Sequence, residues 1–148
     1  MTEAIEKQLR EGGVYVSTTV GVSMKPMLRN RRDRVIIRPV TQHPLRRLDV
    51  PLYRAPNGSY ILHRIIAVKD GYYIIRGDNT FVKERVSTDA VIGVMTEFYR
   101  GKRHVSAEKR SYRLYAAVWH AIYPVRYLWH LLRVAASRIL RRLFPKGG

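Results

Sequence analysis

Between residues 14 and 99 short β-branched runs alternate with tight-turn dipeptides. That rhythm limits the stretch to short antiparallel strands joined by hairpins. The run 14–20 (VYVSTTV) predicts a first strand and Val35-Ile36-Ile37 a second. A third strand-like segment, 49–54, contains Pro51, whose missing amide hydrogen places it at a sheet edge. Asn57-Gly58 and Asp70-Gly71 are hairpin turn signals. They bracket one long strand over 59–69, with 72–76 as its partner, and 91–99 predicts the last strand. A short helix over 2–10 is ended by Gly12-Gly13. The fold expected is mainly β, a compact domain of short antiparallel strands over 14–103. An N-terminal segment, 1–13, precedes it.

Residues 111–144 break the pattern. They contain no acidic residue and no glycine. Arg126, His130, Arg133, Ser137 and Arg141 recur in steps of four, three, four and four, one polar stripe on an otherwise apolar helix. Pro124 should kink or divide that helix. The charge is as uneven as the pattern. Residues 1–99 carry 16 Lys/Arg against 10 Asp/Glu, whereas residues 100–148 carry 12 against one. A basic amphipathic helical tail with Trp119 and Trp129 fits helices lying in the interface of an anionic bilayer. A spanning hairpin, or helices packed on the β domain or a partner, are the alternatives. Nucleic acid is disfavoured, because the aromatics lie on the apolar side and no recognition motif is present. Residues 1–13 hold no apolar run, so neither a signal peptide nor an N-terminal anchor is expected, and the cytoplasmic face is favoured.

The chain of 148 residues suits one domain. It has no cysteine, which excludes disulfides, thiolate catalysis and Cys-ligated zinc. His43, His104, His120 and His130 have no metal-ligand spacing, and no cofactor is implied. What remains for chemistry is a serine just past a strand end, Ser23, and a histidine inside a strand-like run, His63. A serine becomes a nucleophile when a neutral imidazole takes its proton. Pro26, just after the serine, suits a first helical turn.

Four segments in order carry a resemblance. Gly21-Val22-Ser23-Met24-Lys25-Pro26 resembles a G-x-S-M-x-P nucleophile motif. Leu48-Asp49-Val50-Pro51-Leu52-Tyr53 resembles the strand that follows it, Tyr60-Ile61-Leu62-His63-Arg64-Ile65 the general-base strand, and Arg76-Gly77-Asp78-Asn79 a G-D-N motif. Over about residues 14–95 the chain resembles the signal peptidase I and LexA-type serine peptidase superfamily. His63 at the base position is similar to the archaeal, endoplasmic-reticulum and sporulation-type branch. The resemblance implies a signal-peptidase/LexA-like β domain and a serine endopeptidase that processes a peptide or precursor protein. Ser23 would be its nucleophile and His63 its general base. It also implies a carboxylate beside His63: Asp78 of the G-D-N motif, or Glu84, which stands where that branch usually carries Asp. Met24 and Pro26 would border the substrate. Gly21 occupies the position where the family often carries a Ser or Thr oxyanion donor. A catalytically inactive peptide- or membrane-binding scaffold of the same fold is the competing reading.

Overall fold

The structure, a computed structural model, describes residues 2–40 and 44–143. His43 and the last residue of the segment 111–144 lie outside the described residues. Helix α1 (Thr2–Arg10) precedes β1 (Tyr15–Thr18), β2 (Arg34–Arg38), β3 (Pro51–Arg54), β4 (Tyr60–Leu62), β5 (Arg64–Lys69) and β6 (Tyr72–Arg76). β7 (Glu84–Ser87), β8 (Val91–Arg100) and β9 (Arg103–Ser106) follow, then helices α2 (Arg110–Ala121) and α3 (Tyr123–Leu143). The fold is mainly β, two antiparallel sheets with C-terminal helices, as the turn spacing predicts. The larger sheet runs β1-β2-β8-β3-β4, with β9 also paired to β8. β8 is long enough to pair with β2 on one edge while β3 takes 91–94 and β9 takes 97–100 on the other. The smaller sheet is β5-β6-β7.

Two expectations about strands change. β3 is interior, flanked by β8 and β4, rather than an edge. Pro51 is tolerated because it is the first residue of the strand, and the adjoining ladder bond uses a different group: Met95 N–H donates to Val50 O at 2.9 Å. Alternation then buries both faces of β3. Leu52 joins a core with Leu9, Met24, Leu28, Val35, Ile37, Met95 and Phe98. Tyr53 joins a smaller core with Leu45, Ile65, Tyr73, Ile75 and Val86.

The long strand expected over 59–69 is two strands. β4 pairs with β3 in the larger sheet and β5 pairs with β6 in the smaller one. Beyond the joint, Ile65 exchanges bonds with the segment before β3: its N–H donates to Asp49 O at 2.9 Å and its O accepts from Leu48 N–H at 2.8 Å. The residue at the joint is His63. A side chain there is held from both sides by paired backbone, which suits a positioned base.

Pro26 opens no helix. Residues 21–28 form successive turns, closed by Leu28 N–H donating to Met24 O at 2.9 Å. Met24, Met27 and Leu28 anchor that loop by burying their side chains. In the tail the division expected at Pro124 is present, with α2 ending at Ala121 and α3 starting at Tyr123. Proline at the second residue of α3 removes only an amide that has no helical partner.

Candidate active site

The loop that carries Ser23 is tied down by one buried carboxylate. Asp33 has no exposed surface. It accepts from Arg29 N–H at 2.8 Å, Gly101 N–H at 3.0 Å and the Arg32 guanidinium at 2.6 Å. Burial alone would raise its pKa, but the Arg32 bond and the two backbone amides outweigh it and hold the carboxyl below its ordinary value. Gly21, two residues before the serine, has φ +99° and gives its N–H to Asn30 Oδ1 at 2.9 Å. An L side chain is strained in that conformation, so the loop excludes the side-chain donor expected at this position.

His63 is nearly buried, 8% exposed. Its Nδ1 lies 2.8 Å from Glu84 Oε1. The Tyr53 hydroxyl donates to the other carboxylate oxygen, Oε2, at 2.7 Å, and its own oxygen stands 3.3 Å from Nδ1. Burial first, and then the Glu84 charge, push the Tyr53 phenol well above its usual range, so it stays a donor. An ionised Glu84 offers only acceptors, so Nδ1 carries the proton and Nε2 presents its lone pair. Gly77 shows where that lone pair stands. A methyl group there would lie 3.1 Å from His63 Nε2 and 3.1 Å from Ser23 Cβ, and 2.8 Å from Ser23 O. His63 and Ser23 thus border one gap that only glycine leaves open. Among the described residues, the ring's bonds run from Nδ1 and none joins Ser23 to Nε2. Such contacts commonly tighten only when substrate is bound.

The two candidate carboxylates therefore separate. Glu84 faces the histidine; Asp78 does not. Both Asp78 oxygens accept from Arg64, at 2.7 Å each, and the two residues are 5% and 2% exposed. Arg64 also donates to Leu48 O at 2.9 Å and to the Tyr112 hydroxyl at 3.1 Å. Burial works against its charge, but Asp78 more than offsets that and keeps it protonated. Asp78 is a structural ion-pair partner whose turn positions the serine: Asn79 N–H donates to Ser23 O at 2.7 Å and Asn79 Nδ2 to Val22 O at 3.3 Å.

That turn is held from the other side by the tail. Trp119 Nε1 and Arg126 both donate to Asp78 O, at 3.0 and 2.8 Å. The Arg126 guanidinium lies 3.8 Å from the Trp119 ring centre, and Arg76 lies 3.3 Å from that of Tyr123. His130 stacks on Phe81 with centroids 4.3 Å apart. Burial lowers the pKa of Arg76 and Arg126. The first two members of the expected polar stripe, Arg126 and His130, are thus seated against Asp78 and Phe81.

Two depressions border the loop that carries Ser23. One, of about 440 Å³, is apolar, lined by Ile5, Tyr15, Val35, Leu52 and Leu62, with Met24 at its floor and Ser23 and His63 at its end. Met24 is a core residue that also borders the cleft. Pro26 does not line that cleft; it lies in a second groove with Asn79, Phe81, Trp129 and Arg133. Among the described residues no three His, Asp or Glu side chains come together as a metal site. Sequence reasoning missed Tyr53 and Arg64 as site residues, although both lie inside quoted motifs. It also missed the clamp of Trp119 and Arg126, whose contacts are long-range and leave no local signal. No family model matches the chain, and no curated protein matches it.

Proposed function

We propose that the protein is a serine endopeptidase of the signal peptidase type that cleaves a peptide or precursor protein. The observation that carries this reading is the shared gap at Gly77, with His63 Nε2 and Ser23 Cβ on its two walls and Glu84 on the far nitrogen. Ser23 Oγ attacks the peptide carbonyl and His63 Nε2 takes its proton. Glu84, held by Tyr53, stabilises the imidazolium that forms. The Ser23 N–H faces the developing oxyanion, and the imidazolium returns its proton to the leaving amine. Water then hydrolyses the acyl-enzyme by the same base. The apolar cleft offers a bed for an extended apolar segment on one side of the bond.

The test is mass-spectrometric cleavage of a library of peptides with small residues before the scissile bond, using wild type, Ser23→Ala and His63→Ala. Cleavage by wild type with loss of about 10³-fold or more in both variants is the expected result. The loop at Gly21 favours a second reading, an inactive peptide-binding scaffold, because its φ of +99° excludes a second side-chain oxyanion donor. Peptide binding without cleavage by the wild type would decide for that reading.

A further inference from the structure

The helices α2 and α3 have one side against the β domain and one free side. Tyr123, Arg126 and His130 of α3 meet the β domain, at spacings of three and four that put them on one face. The opposite face carries Val125, Leu128, Leu132 and Ile139, exposed by 71, 58, 55 and 57%. On α2, Leu114 and Val118 are likewise exposed, while Tyr112 and Ala116 are buried against the domain. From Leu131 to Arg142 every side chain except Val134 is exposed. An apolar track of this length left in water is an interaction surface, and α3 extends beyond anything that could support it as an isolated helix.

The charge chooses the occupant. Residues 109–148 hold nine Lys/Arg and no acidic residue. Arg138 and Arg142 flank the apolar track, where long side chains reach a headgroup while their stems stay in the apolar layer. A second copy of the chain would bring only like charges to the same track. Among the described residues no helix is long and apolar enough to cross a membrane. We propose that the outer face of α2 and α3 lies in the interface of an anionic bilayer, with the β domain on its water side. The polar stripe faces the domain at its start, which leaves the apolar face for lipid. Because Trp119 and Arg126 hold Asp78 O and Asn79 holds Ser23 O, this docking keeps the serine at the bilayer surface. The docking itself is independent of the chemistry at Ser23.

The test is flotation of the full chain with vesicles of phosphatidylcholine alone and of phosphatidylcholine with phosphatidylglycerol, at low and high salt. The wild type should float with the anionic vesicles only, and less at high salt. Arg138→Gln with Arg142→Gln should lower partitioning about fivefold per arginine. Leu128→Ser with Leu132→Ser should lower it about tenfold or more at unchanged melting temperature. Trp129 emission should shift blue with anionic vesicles, and the shift should vanish in Trp129→Phe, which retains Trp119. No flotation overturns the proposal, as does equal flotation with neutral vesicles or flotation that neither pair of substitutions reduces. A dimer by light scattering that the leucine pair splits, without vesicle binding, would assign the face to a second copy. Retention by nucleic acid and not by vesicles would overturn it as well.

Discussion

At the scale of single residues, two carboxylates six positions apart do different jobs because of what each touches. Glu84 meets His63 Nδ1 and the Tyr53 hydroxyl, whereas Asp78 is spent on Arg64. Glu84→Gln keeps the shape but can donate where it must accept, so kcat should fall about 10²–10⁴-fold with little change in melting temperature. Asp78→Asn leaves Arg64 buried without its counter-charge and should cost about 3–5 kcal/mol of stability. Denaturant unfolding beside steady-state kinetics separates the two, and an Asp78→Asn protein as stable as wild type would refute its assignment. Gly77→Ala should abolish turnover, because its methyl would press on Ser23 O at 2.8 Å and fill the space between base and nucleophile. Retained activity in that variant would mean that the gap is not the reaction site.

At the scale of elements, the nucleophile loop depends on Asp33 and the G-D-N turn depends on the tail. The Asp33 carboxyl is held below its ordinary value in the folded protein. A group with a lowered folded pKa stabilises fully above its unfolded value, about 3.9, and that stabilisation is lost as pH falls through the folded value. Thermal unfolding should therefore show an acid-side loss below about pH 4 that Asp33→Asn lacks, on top of a uniform destabilisation of about 1–3 kcal/mol from weakened buried hydrogen bonds. Equal acid slopes in the two proteins would remove Asp33 from this role. For the tail, Trp119→Phe deletes the indole donor to Asp78 O and keeps most of the packing. It should lower kcat severalfold while KM stays close to wild type, since Trp119 does not line the apolar cleft. A change in KM alone would place Trp119 in substrate binding instead.

At the scale of the whole molecule, β8 and β3 join two cores, and α3 runs out from them almost without support. Amide exchange should therefore be slow in β3 and β8 and fast over 131–142, and anionic vesicles should slow that second stretch alone. Uniform protection along α3 in water would show that it has found another partner. The strand rhythm of 14–99, the helix at 2–10 and the division at Pro124 were all legible in the sequence. They depend on local chemistry: β-branched runs, glycine turns, and a proline that cannot continue a helix. Ser23 and His63 were legible as candidates because their motifs are short and contiguous. The rest needed tertiary structure. The interior place of β3, the break at His63 and strand β7 each depend on which segments pair, and pairing is decided by burial on two faces at once. The choice of Glu84 over Asp78 depended on Arg64, which neutralises the nearer-looking carboxylate from across a sheet. The tail shows the same limit: its stripe of arginines was visible as a period of residues, but only docking decided that the polar side faces the domain and leaves the apolar side open. Periodicity records that a helix has two faces, whereas what lies against each is set by contacts between residues far apart in the chain.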